Sequence, residues 1–206
     1  MSLNKFVKIG SISNLSDARY CAGMMVDILG FEIVDPSSEH YVDSATFSEL
    51  TEWVAGVAFV GECHDTDLET LEKAIDDYPI QYIELNQLEL LEQIADRFDQ
   101  LIIFHIKLDS LPSLESLQDS ILEASRFAEL IIIDAVPELD SRKIEADLKQ
   151  VDPTIKLLKA YDLDIETVKD LSTSWYGIEL KGSPEEKAGY KEYGIVMDIL
   201  EELEVD

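Results

Sequence analysis

The feature that most constrains the fold of this chain is an alternation repeated eight times from end to end. Short apolar runs rich in Val, Ile and Phe are each followed by a longer stretch whose apolar residues recur at three- and four-residue spacing. The runs specify strands and the stretches specify helices, and that order builds a parallel sheet covered by helices. Strands are expected near Phe6–Ile12, Val26–Phe31, Val54–Val60, Gln81–Leu85, Leu101–Lys107, Leu130–Asp134, Thr154–Ala160 and Trp175–Leu180. Eight such units without a linker favour a closed barrel over an open, doubly wound sheet. The expectation is one α/β domain over residues 1–206, a single compact (β/α)8 TIM barrel near the short end of that architecture's range.

Helix starts are marked by capping residues ahead of amphipathic stretches. Asn14 precedes Leu15–Cys21, Ser44 precedes Phe47–Trp53, and Asp65 or Thr66 precedes Leu68–Tyr78. Asn86, Ser113, Leu139–Asp140 and Asp164 open four more, and a last helix is expected from about Glu192 to Leu203. The strand Leu130-Ile131-Ile132-Ile133 is continuously apolar, as required where both faces are covered, and it ends in Asp134, at the face where such barrels place their chemistry.

Charge narrows the partners. With 44 Asp plus Glu against 16 Lys plus Arg, the formal net charge is −28. A field of that sign repels nucleic acid, acidic membrane surfaces and, to a degree, phosphorylated metabolites. A solvated, solubilising surface is favoured over salt adaptation or a basic partner. Cys21 and Cys63 are far apart and form neither a CxxC pair nor a ligand cluster, which suits a reducing compartment. The chain lacks a signal-peptide pattern and an apolar run of roughly 18 residues, so a cytoplasmic protein with no membrane partner is expected.

Val7-Lys8-Ile9-Gly10-Ser11-Ile12-Ser13-Asn14-Leu15-Ser16-Asp17-Ala18 resembles the opening strand and turn of phosphoribosylanthranilate isomerases, roughly V-K-I-C-G-I-T-N-x-x-D-A. Leu29-Gly30-Phe31 followed by Tyr41-Val42, Gly56–Val60, Tyr82–Asn86, Gly177–Ser183 and Gly189–Glu192 match further family segments in the same order. The resemblance implies a barrel and an Amadori rearrangement of N-(5′-phosphoribosyl)anthranilate in tryptophan biosynthesis, without a cofactor. That reaction uses an Asp as acid and a Cys as base, flanking the sugar. Asp134 aligns with the acid. The base falls on Gly10, which has no side chain to accept a proton.

Other departures lie on the same expected face. The family arginine that pairs with the anthranilate carboxylate is His40, which cannot supply a bidentate fork. The glycine turns expected after the sixth and seventh strands read Ala135–Asp140 and Lys159–Leu163, adding Glu138, Asp140 and Asp162 where a phosphate should dock. Glu84 and Glu179 fall on strand-end positions of the resemblance, and Lys181-Gly182-Ser183 is the best surviving anion site. Base, carboxylate clamp and phosphate grip are all altered, so the family activity is expected to be lost or changed.

Alternatives stay open. Cys63 could reach the site as a substitute base, assisted by His64, giving an active isomerase with a rearranged site. A different barrel isomerase or aldolase would need an activated Lys107 or Lys159. His64 and Asp65, with Glu62 or His40, have metal-ligand chemistry but no recognised spacing, so no metal is expected. The expected ligand is a small molecule of the phosphosugar class, and a protein partner or a second copy of the chain is left open.

Overall fold

In a computed structural model of the protein, residues 2–182 and 194–205 are described, apart from the side chains of Leu111 and Pro112. Eight parallel strands close into a barrel in chain order: β1 (Phe6–Gly10), β2 (Ile28–Glu32), β3 (Ala58–Glu62), β4 (Tyr82–Leu85), β5 (Leu101–Leu108), β6 (Ala128–Ala135), β7 (Leu157–Lys159) and β8 (Gly177–Lys181). β8 seals against β1 over five paired positions, from Phe6 opposite Gly177 to Gly10 opposite Lys181. Ser2–Leu3 pairs antiparallel with Glu204–Val205 outside the barrel.

The expected strand order holds, and the bounds agree within two residues except at the starts of β3 and β7. β3 starts at Ala58 rather than Val54, because the preceding stretch turns through Gly56 at φ +85°, a conformation that ends an extended run. β7 starts at Leu157 rather than Thr154, since the Asp152 carboxylate accepts from the Thr154 N–H and hydroxyl, folding that stretch into a turn.

The helices are α1 (Leu15–Gly23), α2 (Ser44–Thr51), α3 (Leu68–Asp77), α4 (Leu91–Arg97), α5 (Leu111–Glu115), α6 (Leu117–Ala124), α7 (Ser141–Leu148), α8 (Ile165–Lys169) and α9 (Gly194–Leu203). Asn14, Asp43, Asp67, Asp140 and Asp164 cap α1, α2, α3, α7 and α8 with side-chain oxygens. Such caps contribute about 1 kcal/mol each. In α3 the four-residue spacing of Leu71 and Ile75 buries one face against the barrel and leaves Glu69 and Lys73 paired in solvent. No helix of the described residues is long and apolar enough to cross a membrane.

Strand periodicity splits the apolar residues into two clusters. The larger lies between strands and helices and holds Val7, Ile9, Leu29, Ile131, Ile133 and Ile178 among many others. The smaller, Ile28, Val60, Ile103, Leu130, Ile132 and Leu158, fills the barrel interior. Two residues further along several of these strands the inward positions become Gly30, Glu62, His105 and Asp134. The interior is thus apolar below and ionic above, toward the strand C-termini.

Lys159 belongs to the outer layer. Its ammonium lies 3.2 Å from Glu145 of α7, and the same carboxylate accepts from the Tyr161 hydroxyl and the Trp175 indole N–H at 3.3 and 3.1 Å. Lys159 therefore packs among helices, away from the barrel interior that an imine-forming lysine would have to face. Glu145→Ala would leave a nearly buried ammonium and a buried indole N–H without their acceptor. The expected cost is about 2–3 kcal/mol, measured by urea denaturation with Trp175 fluorescence as the probe.

Candidate functional site

At the C-terminal mouth of the barrel, a cavity of about 170 Å³ is lined by Ser11, Glu32, Glu62, His64, Asp65, Glu84, Asn86, His105, Lys107, Asp134, Glu179 and Lys181. Every barrel strand except β7 contributes to this wall or to the loop just beyond it. A larger groove of about 650 Å³ lies at the opposite end, around Lys5, Asp27 and Tyr176, but none of the histidines or buried glutamates lines it. The chemistry is gathered at the mouth.

Lys8, fully buried on β1, lies behind the cavity wall, among the glutamates that line it. Its ammonium lies 2.7 Å from Glu62 and 2.7 Å from Glu84, and it also pairs with Glu179. A single ammonium is thus shared by three buried carboxylates from β3, β4 and β8. Glu62 is fixed a second time, because its other oxygen accepts from the Ser11 N–H at 3.0 Å. Ser11 takes φ +55°, in the left-handed region, and its hydroxyl donates to Glu32 at 3.0 Å. Ser38 also donates to Glu32, so a further carboxylate is tethered at the rim.

Glu62 explains Gly10. A Cβ at position 10 would lie 2.6 Å from Glu62 Oε1, 3.0 Å from Glu179 Oε1 and 3.2 Å from Lys8 Nζ. At Gly30 the same oxygen would be 2.1 Å from an added Cβ. The carboxylate of Glu62 is therefore seated between two glycine backbones, and it fills the space that a side chain at position 10 would use.

The second half of the cluster is built on histidines. One oxygen of Glu84 receives His64 Nε2 at 2.8 Å and His105 Nδ1 at 3.0 Å. The two rings meet edge to face with centroids 5.0 Å apart. His105 Nε2 points at Asp134 Oδ2, 3.6 Å away. Burial alone would depress the His105 pKa, but hydrogen bonding to Asp134 and Glu84 and the charge of Glu84 and Glu179 push it up to about 10. Burial opposes ionisation of Glu84, yet Lys8 and both histidines hold it well below the usual carboxylate range. Glu179 goes the other way, raised by burial and by its glutamate neighbours against the pull of Lys8.

Asp134 closes β6 at the mouth, as its place at the end of an apolar strand implied. Burial works against its charge, but His105 and Lys181 keep its pKa below the ordinary value. Glu84, Glu179 and Lys181 also line the cavity, and Gly182 lies beside it with its N–H donated to the Gly10 carbonyl at 2.8 Å. Ser183 and the Gly189–Glu192 segment fall outside the described residues.

Two expected residues are not brought to the site. Cys63 is fully buried in the outer apolar cluster, with its thiol 3.5 Å from the Gly61 carbonyl. Burial first, then Glu84 and Glu62, push that thiol well above its normal pKa. Strand alternation is the reason: Glu62 points into the barrel, so Cys63 points out. His40 sits off the cavity wall, its Nε2 3.5 Å from the exposed Glu39.

Lys8, Glu62, Glu32 and the pairing of His64 with His105 were not assembled from the sequence. The available signal was charge on inward positions of otherwise apolar strands: Lys8, Glu84, His105 and Glu179 each interrupt such a run. Lys107 and Asp134 lie opposite one another on β5 and β6 but form no ion pair, and Asp134 faces His105 instead.

A closed eight-stranded barrel with an ionic cluster at its C-terminal mouth is the class of protein defined by these features. No family model matches the chain and no curated protein matches it in sequence. Its fold is that of the phosphoribosylanthranilate isomerases. The enzyme from Thermotoga maritima superposes with TM-score 0.76 at 19% identity, over 97% of this chain and 98% of that one. The enzymes from Pyrococcus furiosus and Thermus thermophilus give 0.74 at 18% and 0.73 at 20%, covering 97% and 96% of this chain and 98% of each of theirs.

Proposed function

We propose that this chain is a divergent relative of the phosphoribosylanthranilate isomerases that keeps the barrel but has lost the family's rearrangement, its mouth serving another small polar ligand. One observation carries the reading: the Glu62 carboxylate takes the space of a side chain at position 10, where the family's base belongs. A carboxylate there is not a free base, since Lys8 and the Ser11 N–H both occupy its lone pairs.

The acid position is also altered. Opening a furanose needs a group that carries a proton at neutral pH, and since His105 and Lys181 favour the ionised form of Asp134, that proton would have to come from His105 instead. Phosphate binding is opposed as well. The α7 and α8 N-termini, which follow β6 and β7, already accept Asp140 and Asp164 as caps, 3.1 and 2.7 Å from the Arg142 and Thr167 amides. A phosphate would have to displace a carboxylate at either one.

The test is a coupled assay with N-(5′-phosphoribosyl)anthranilate as substrate. Turnover indistinguishable from the uncatalysed background is expected. A kcat within a few hundredfold of ordinary enzyme rates, roughly 1–10³ s⁻¹, would overturn the reading. The location of Glu62 favours one alternative, an active isomerase in which Glu62 replaces the missing base and Asp134 with His105 handles the acid step. In that case turnover would be present and Glu62→Gln would abolish it.

A further inference from the structure

The geometry points to a divalent metal site of the zinc type in the cavity floor, held by His64 Nε2, Glu84 Oε1 and His105 Nδ1, with Glu179 Oε2 as a fourth oxygen donor. The three primary donor atoms all lie within 4.8 Å of one another. The two imidazole nitrogens are 2.8 and 3.0 Å from the same Glu84 oxygen. For metal–ligand bonds of about 2.0–2.2 Å, neighbouring donors of a tetrahedral or octahedral shell stand roughly 3.0–3.5 Å apart. The two edges to Glu84 are close to that spacing, and the donors come from three different elements: the β3–α3 loop, β4 and β5.

A second, independent observation lies beside them. Glu179 Oε2 is buried, has no hydrogen-bond partner and stands 4.0 Å from His105 Nδ1. Its other oxygen is held by Lys8, so the orphaned one is aimed at the histidines. A buried carboxylate oxygen left without a donor is costly, and a bound cation would satisfy it.

Charge agrees. Glu62, Glu84, Glu179 and Asp134 gather around one Lys8 ammonium, so carboxylates outnumber the lysine in this cluster and attract a divalent cation, which would take the place of the proton on His105. The alternative cluster of Glu62, Glu84 and Glu179 already holds the Lys8 ammonium at its centre, so the histidine side is the one a cation can enter. Around it stand groups that would orient the ligands: Lys8 braces Glu84 Oε2 at 2.7 Å, and Asp134 faces the far nitrogen of His105 at 3.6 Å. A carboxylate behind a ligating histidine fixes its ring and tautomer. His64, about one-third exposed, lies on the cavity side. Mixed imidazole and carboxylate donors suit Zn²⁺, Co²⁺, Fe²⁺ or Mn²⁺ over Ca²⁺ or Mg²⁺. The site stands whether or not the barrel isomerises an aminoaldose.

The experiment uses the full chain, stripped with chelator, dialysed and titrated with Zn²⁺ by calorimetry and with Co²⁺ by visible absorption. One equivalent at micromolar Kd or tighter is expected, with Co²⁺ d–d bands typical of nitrogen and oxygen donors and a rise in thermal midpoint on saturation. His64→Ala, at the accessible rim, should weaken binding at least tenfold, and the positioning variant Asp134→Asn about tenfold. His40→Ala should leave it unchanged. Failure of the wild-type chain to bind either ion with one-to-one stoichiometry would overturn the site, as would affinity retained within twofold in His64→Ala, since cations would then be sitting on the acidic surface. Should His64→Ala fail to fold by circular dichroism, the wild-type Co²⁺ spectrum decides alone: bands of a hexa-aqua ion or an all-oxygen shell would refute the assignment.

Discussion

Lys8→Met is expected to be the most damaging single substitution in the protein, costing at least about 3–5 kcal/mol and in many conditions preventing folding. The ammonium is fully buried and lies within hydrogen-bonding distance of Glu62 and Glu84 as well as Glu179. Its removal leaves three carboxylates in the barrel interior with no lysine between them. Breaking a buried pair carries about that penalty, against a whole-domain stability of roughly 5–15 kcal/mol. Chemical denaturation followed by far-ultraviolet circular dichroism measures it. A midpoint within experimental error of wild type would show that the cluster is not an ionic keystone. Adding Glu62→Gln and Glu179→Gln to Lys8→Met should recover a measurable part of the loss, because the buried negative charge is then reduced in step with the positive.

The second large effect is a coupling. Gly10→Cys, which places there the residue type expected from the sequence resemblance, should destabilise the chain by roughly 1–3 kcal/mol and yield no isomerase activity. The new Cβ would stand 2.6 Å from Glu62 Oε1, an atom that cannot swing away without leaving Lys8 and Ser11. Combined with Glu62→Ala, the same cysteine enters vacated space. The double variant should therefore be more stable than the sum of the single losses by about 1 kcal/mol or more. Additivity within about 0.5 kcal/mol would mean that Gly10 and Glu62 do not compete for one volume.

Much of the architecture was legible because it depends on short-range pattern. Eight short apolar runs, separated by amphipathic stretches with polar capping residues, leave few alternatives to a parallel barrel. The misplaced starts of β3 and β7 had local causes, a glycine at positive φ and an Asx turn, which override strand propensity. The site was only half legible. The location of Asp134 at the mouth followed from its position at a strand end. Cys63 was drawn toward the mouth by its residue type, although alternation from Glu62 turns it outward.

His64 was read beside its sequence neighbours Glu62 and Asp65, for which no ligand spacing exists. Its partners turned out to be Glu84 and His105, 20 and 41 positions away, contributed by the next two strands. Nothing in local sequence signals that distance, because it is set by how adjacent barrel strands stagger. The same holds for Lys8, whose three glutamates come from β3, β4 and β8 and meet only when β8 closes on β1.

By itself, then, the sequence determined the repeat of strand and helix, the closed barrel, the acidic charge balance and the absence of a side chain at Gly10, all of which follow from residue type and period. The tertiary structure decided what fills the space beside that glycine. Closure of the barrel brings Glu62, Glu84 and Glu179 onto one buried ammonium and sets two histidines on a single glutamate oxygen. Interactions of that kind depend on inter-strand distances of a few ångströms, which periodicity along one strand does not encode.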